Sequence, residues 1–329
     1  LVPGFVPAWR RARALQAVEL PALNRLVRRG TVSRAAVPSP GWTSRQARLL
    51  TLLGLTADRW HGGAPLEWLG LGGELRCGGW LQAGFVHLEV GSRNARLHAI
   101  TDLDTGEAVQ LASALQAGLQ FPGFTVLPSP DPQQFPGVFL HAEHAIDAVC
   151  LVPEFDDLVE LRDVLPQGKD GPVLRRLLTE AQMLLHEHPV NAKRERRKLR
   201  TANAVWLTGV GEFAELQVTS LPVIASDGAY LKGLCGLHGG RALPVPASAA
   251  AAMSGTRPGL VELPALGDSD PAVPLNELER DWFAPLVDAL GADRINAAVI
   301  QLDDLEIRID RSALRRFWRR GPGLADLLQ

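Results

Sequence analysis

The sequence predicts an α/β fold built on a mainly parallel sheet and interrupted by an inserted α+β domain. Three observations point there. Thr31–Val37 reads as a strand, Pro38-Ser39-Pro40-Gly41 breaks it, and a helix follows from Arg45 to Leu53. Such a strand–loop–helix unit presents residues at the top of a parallel sheet. The alternation returns late in the chain, with strands at Leu216–Ile224 and Ala242–Pro246 flanking a helix at Ala229–Leu237. Between these halves, Leu69–Gly79 is rich in glycine and suits a crossing between domains. The expected organisation is a core from residues 1–68 and 203–329, with residues 69–202 as the insertion.

The remaining elements follow from periodicity and caps. Leu20–Arg29 repeats Leu and Val at helical spacing, and Gly30 stands at its C-terminal cap. Thr43 or Ser44 can cap the helix beginning at Arg45. Gly84–Val90 and Arg96–Ile100 read as strands, and Thr105–Ala117 as a helix with Glu107 near the positive end of its dipole. Pro128–Pro136 must be loop, and Gly137–His141 and Ala148–Val152 short strands. Leu174–Glu187 is an amphipathic helix stopped by Pro189. Asn276–Leu290 is helical, Ile295–Leu302 and Leu305–Ile309 are strands paired around Asp303-Asp304, and a tail helix starts at Ser312.

Composition narrows the function classes. The chain has 329 residues, 46% hydrophobic and 21% charged, as in a globular protein with a substantial core. A formal net charge of −2 gives no global field toward nucleic acid or membrane. No apolar stretch is long enough to span a bilayer, and no export signal is visible, so a cytoplasmic protein is expected. Cys77, Cys150 and Cys235 are far apart and are expected to be buried free thiols. The preference for Arg over Lys, with abundant Ala, Leu and Gly, suggests a GC-rich bacterial gene.

The segment Gln182–Phe213 concentrates the candidate chemistry. Lys193, Arg194, Arg196, Arg197, Lys198 and Arg200 form the densest charge run, countered only by Glu195. A solvated helix face is the usual meaning of such a run. Contact with a phosphate is the sharper reading. Nucleic-acid binding through residues 193–200 is disfavoured, because no aromatic residues interleave. Asn203, Gly209 and Gly211 fall at a strand and its C-terminal turn, where ligand approach and a plain tight turn are equally good readings. His186 and His188 are two apart and point to opposite sides of a helix, so capping is favoured over metal binding. His141 and His144 have a usable spacing but no third ligand nearby in sequence. Asp227 and Lys232 fall on the next strand–helix unit.

Several blocks, in order, resemble the metal-dependent, cofactor-independent phosphoglycerate mutases of archaeal type, in the alkaline phosphatase superfamily. Leu20–Gly30 followed by Val37-Pro-Ser-Pro-Gly-Trp-Thr-Ser-Arg-Gln-Ala-Arg-Leu-Leu is similar to that family's helix, strand and nucleophile-serine loop. Leu185-His-Glu-His-Pro-Val-Asn, Arg194 and Asn203-Ala-Val-Trp-Leu, then Gly209 and Gly211, resemble the return from its inserted domain. Leu221–Leu234 resembles its next strand–helix unit, including Lys232. Gln182–Asn191 followed by Asn203–Trp206 resembles more closely a bacterial offshoot named regulatory protein RpfE.

The resemblance implies an alkaline-phosphatase-like core, a serine nucleophile at Ser44 and two divalent ions held by Asp and His at strand ends. The sequence departs from that pattern. Its first strand, Leu1-Val-Pro-Gly-Phe-Val-Pro, has no carboxylate, no His lies near Glu262–Asp268, and Asp303-Asp304 is not followed by His. Arg45 stands where the family has Asp, Ala145-Ile-Asp-Ala where it has Tyr-Arg, and Thr208 where it has Trp or Arg. A serine hydroxyl without a metal or base is a weak nucleophile, so Ser44 is read first as a helix cap. The expectation is a degenerate relative without metals or cofactor, binding a small phosphorylated ligand between its domains or acting in regulation. His188, Asn191, Arg194, Asn203, Gly209, Gly211 and Lys232 are its expected ligand-binding residues. Two alternatives are a phosphatase or phosphotransferase rebuilt around Ser44, and nucleic-acid binding through residues 193–200.

Overall fold

The structure is a computed structural model that describes residues 1–14, 18–34, 46, 49–50, 52–55, 63–91, 94–151, 158–214, 220–254, 259–266, 270–315 and 321–328. The chain divides into two compact units, the first comprising residues 1–37, 220–228 and 241–329, the second residues 38–219 and 229–240.

Along the chain, helices Phe5–Ala14 (α1) and Pro21–Arg29 (α2) precede strand Thr31–Arg34 (β1). Helix Ala64–Gly70 (α3) leads to the hairpin of Gly78–Val90 (β2) and Asn94–Ala99 (β3). Helix Thr105–Gly118 (α4) is followed by strands Thr125–Pro128 (β4), Gly137–Ala142 (β5) and Leu158–Glu160 (β6). Helices Gly171–His186 (α5) and Pro189–Arg196 (α6) return the chain to Ala204–Phe213 (β7). Ile224–Ala225 (β8), helix Ala229–Leu237 (α7) and Leu260–Val261 (β9) come next. Helix Ala272–Leu278 (α8) runs through a π-helical turn, Glu279–Phe283, into Ala284–Gly291 (α9). Strands Ala297–Leu302 (β10) and Leu305–Asp310 (β11) follow.

The expected mainly parallel sheet is corrected: the sheets are predominantly antiparallel. In the first unit β1, β11 and β10 form an antiparallel sheet in that order. In the second, β4, β5, β2, β3 and β6 form an antiparallel sheet, with β7 also antiparallel to β2 over Gly78–Val86. Parallel strands need crossovers of a dozen or more residues. The links β2–β3, β4–β5 and β10–β11 are far shorter, so each pair can only fold back on itself. Among the described residues, parallel pairing is confined to β8 with β9 and to single bridges, Ala225 with Leu243 and Val2 with Leu302, all in the first unit. The described part of the predicted strand Ala148–Val152, residues 148–151, holds one bridge, Val149 with Gln167, and Ala242–Pro246 reduces to the Leu243 bridge.

Each unit has its own core. Phe5, Leu23, Leu26, Leu275, Leu290 and Ile307 are fully buried in the first, where Phe5 meets Phe283 edge-on at 6.3 Å. Leu81, Leu111, Leu140, Leu174 and Leu185 anchor the second. Each such side chain contributes about 1.5–3 kcal/mol relative to exposure. Helices α3 and α7 of the second unit touch backbone to backbone. A Cβ on Gly70 would lie 1.8 Å from the Ala229 carbonyl oxygen, and one on Gly233 would lie 1.8 Å from that of Leu66. The Gly-rich stretch read as a linker from Leu69 thus begins inside a packed helix.

Candidate functional site

The segment joining α5 to β7 is organised around buried polar side chains. His188 is the N-cap of α6, its Nδ1 accepting the Val190 N–H at 3.3 Å. Burial lowers its pKa, which favours the neutral ring that an accepting Nδ1 requires. Asn191, 2% exposed, donates through Nδ2 to the carbonyls of Leu185 (2.7 Å) and Ala202 (2.9 Å) and accepts the Ala202 N–H at 2.8 Å. Those bonds satisfy every hydrogen on its amide.

Arg194 is 0% exposed. Its Nε donates to the Arg200 carbonyl at 2.7 Å, its Nη1 to Glu107 at 2.5 Å and to the Asp102 carbonyl at 3.3 Å, and its Nη2 to the Asp102 carboxylate. The guanidinium is thus committed to protein. The other cations of the run behave differently. Lys193, Arg196 and Arg197 are exposed and line a depression of about 460 Å³ together with Asp104, Gly106 and Glu107 at the start of α4. Asp104 caps α4 by accepting the Glu107 N–H at 2.8 Å. Asp102 and Glu107, which hold Arg194, escaped the sequence reading. Glu107 stood out only as a dipole partner, and nothing local announces a pairing 87 residues away.

Asn203 lies beside β2, where its amide accepts the Leu88 N–H at 2.7 Å and donates to the Leu88 carbonyl at 3.0 Å. It takes the place of a neighbouring strand. Gly209 and Gly211 are inside β7 and not at a turn after it. The β2–β7 register shifts between Trp80 and Gln82, and Gly209 adopts φ +65° there. A Cβ at Gly209 would sit 3.0 Å from Gln82 Oε1, so glycine serves the bulge. Around it runs a polar chain. Gln82, 4% exposed, accepts from Thr208 Oγ1 at 3.2 Å and donates to Glu67, which also accepts from the buried Gln46 at 3.0 Å. Gln82, a lone amide within the apolar run Trp80–Phe85, was the available signal for this chain. Lys232 is half-buried on α7. Ser44 lies outside the described residues.

The cysteine expectation is corrected at one position: Cys77 is exposed, while Cys150 and Cys235 are buried, and all three are free. Burial pushes the Cys150 thiol up to about 12.

The first unit holds the strand ends at which the resemblance would put divalent ions. Its segments contain no histidine and no cysteine, leaving carboxylates as strong donors. Both Asp303 oxygens are taken by backbone, accepting from Gly4 and Val6 at 2.7 Å each. Glu262, 2% exposed, accepts from the Ser226 hydroxyl at 2.8 Å. This donor set lacks the histidines that the resemblance implies for its two divalent ions. Among the described residues, no group of three or more His, Cys, Asp or Glu is placed to hold a metal ion.

Beyond the ends of β8 and β9 the same unit carries an open groove of about 750 Å³. Val245, Leu263, Leu266, Leu278 and Trp282 supply its apolar surface. Asp227, Asp270, Glu277 and Asp281 also line it, and among the described residues no Lys or Arg does.

No family model matches the chain. It is similar to the 2,3-bisphosphoglycerate-independent phosphoglycerate mutase of Methanothrix thermoacetophila, 37% identical over 106 residues, 30% of this chain and 27% of that protein. The corresponding enzyme of Thermoplasma volcanium is 26% identical over 75% of this chain and 62% of its own, that of Ignicoccus hospitalis 28% over 63% and 52%. The chain therefore spans from about a quarter to about three fifths of these relatives. Their homology to it stands at low identity, and all are archaeal, which corrects the bacterial assignment. Among solved structures, a cofactor-independent phosphoglycerate mutase from Thermoplasma acidophilum aligns at 21% identity and TM-score 0.42, covering 95% of this chain and 88% of that one. A protein from Pyrococcus horikoshii aligns at 17% identity and TM-score 0.48, covering 89% and 81%.

Proposed function

We propose that the chain is a phosphoglycerate-mutase-like protein without metal-dependent mutase chemistry, which binds a small phosphorylated anion in a ligand-binding or regulatory role. The regulatory role is the one attached to the RpfE-like proteins that Gln182–Asn191 and Asn203–Trp206 resemble. Its free thiols suit the cytoplasm.

The observation that carries the loss of mutase chemistry is the donor set of the first unit, which lacks any histidine or cysteine and has Asp303 bound to backbone. The anion is assigned to the depression bordered by Lys193, Arg196 and Arg197. Arg194 lies buried behind these cations and cancels much of the charge of Glu107, and Arg197 stands 4.0 Å from the same carboxylate. Three exposed cations therefore border the depression against two carboxylates, Asp104 and Glu107, the second of which already pairs with Arg194. The arginines suit a phosphate, whose oxygens match a planar guanidinium fork.

The test is calorimetric titration with 3-phosphoglycerate and inorganic phosphate, beside an assay of phosphoglycerate interconversion with manganese added. Saturable binding, weakened at least tenfold in Lys193→Glu/Arg196→Glu, and no turnover are expected. Turnover with stoichiometric manganese in the protein overturns the loss of mutase chemistry, and binding untouched by the double substitution overturns the assigned site.

A further inference from the structure

The groove of the first unit has the wrong charge for the anion just assigned and so calls for a different occupant. At about 750 Å³ it falls within the range of small-molecule sites. It lies where the short parallel strands β8 and β9 end, the position at which open α/β sheets present ligands. Asp281 and Trp282 reach it from the π-helical turn Glu279–Phe283. A π-turn inside a longer helix costs regular hydrogen bonding and is frequently kept at functional sites.

The carboxylates differ in availability. Asp281 is held by Arg280 in a two-pronged pair at 2.8 and 2.6 Å, which spends its charge. Asp270 accepts the Ala272 N–H at 3.0 Å. Asp227 and Glu277 are exposed and accept no hydrogen bond from any described residue. The groove thus combines an apolar wall, an indole and carboxylates, with no Lys or Arg among its described lining residues. Electrostatic complementarity disfavours anions on such a surface, and a charged donor bonds its carboxylates about twice as strongly as a neutral one.

We infer that this groove binds a small organic cation, its apolar body against Leu263, Leu266, Leu278 and Trp282 and its positive charge toward Asp227 and Glu277. The cation gains from the carboxylates by Coulomb attraction and from Trp282 by cation–π attraction. A hydrated metal ion lacks the apolar body that the wall would bury. The site is independent of the phosphate depression, which belongs to the other unit.

The experiment uses the full chain and three probes of one shape: phenethylammonium, 2-phenylethanol and phenylacetate. Calorimetry at low salt is expected to show the cation binding at least about tenfold more tightly than the neutral alcohol, with no binding of the anion. Asp227→Asn/Glu277→Gln should lose at least about tenfold in cation affinity while keeping the wild-type melting temperature, since neither carboxylate accepts a bond that holds the fold. Trp282→Leu should weaken the cation more than the alcohol. Equal affinity for cation and alcohol, binding of phenylacetate, no saturation by the cation, or an unaltered Kd in the double variant overturns the inference.

Discussion

Glu107 in the first turn of α4 and Arg194 in α6 meet at 2.5 Å, the guanidinium fully buried and the carboxylate 12% exposed. Removing one partner of such a pair leaves an unpaired charge out of water, which costs about 3–5 kcal/mol. Arg194→Ala should therefore lower the unfolding free energy by about 3 kcal/mol or more in urea denaturation. Arg194→Lys should not restore it, because an ammonium cannot reach Arg200, Asp102 and Glu107 with one planar fork.

The contact of α3 with α7 tolerates no side chain at Gly233. Gly233→Ala would raise intrinsic helix propensity by about 1 kcal/mol, yet a methyl 1.8 Å from a carbonyl oxygen must push the helices apart. The clash wins. A net loss of about 1–3 kcal/mol is expected, read as a lowered urea midpoint.

Asp303 combines a left-handed backbone, φ +49°, with two bonds to the N-terminal backbone of α1. Asp303→Gly should relieve the strain but lose the cap, and Asp303→Ala should lose the cap and keep the strain. Alanine is thus expected to be the more destabilising, by up to about 1 kcal/mol beyond glycine. The order of the two melting temperatures decides the point.

Glu89 contributes to acid sensitivity. A hydrogen bond from His98, whose Nε2 lies 3.1 Å away, holds its pKa below the ordinary carboxylate value of 4.5. A depressed carboxylate stabilises the fold above its unfolded pKa and loses that contribution as pH falls through the folded one. Melting temperatures measured from neutral pH down to below the carboxylate range should fall less steeply in Glu89→Gln than in the wild type. Parallel curves would exclude the contribution.

Ser44→Ala discriminates the phosphoester-cleaving alternative. The carboxylate-only donor set and the spent Asp303 lead to an unchanged broad phosphoester screen for that variant. Loss of any activity by Ser44→Ala would restore serine chemistry to this protein.

Helices were the most legible part of the chain. Ala229–Leu237 was read to the residue, and Thr105, Pro189 and Gly30 marked boundaries within a residue or two, because caps and breakers act locally. Sheet direction was less so. An apolar strand looks the same whether its neighbour runs with it or against it, and only the short links at Gly91–Asn94 and Asp303-Asp304 carried the answer. The candidate site divided in the same way. The basic run was visible, but which cation is buried was not, since Arg194 differs from Arg196 and Arg197 only through carboxylates near residue 105.

The sequence by itself determined several helices, among them α2, α4, α5 and α7, and the basic cluster before β7, because these depend on residue type and local order. It read Leu1–Pro7 as a strand where α1 begins at Phe5, and it left α3 unseen. The tertiary structure alone decided that Arg194 is spent on Asp102 and Glu107, that Gly209 serves a bulge, and that a carboxylate-lined groove opens beyond β8 and β9. The reason is physical: burial and charge pairing are set by groups distant along the chain, so the same side chain is ligand-facing or spent according to what folding brings beside it.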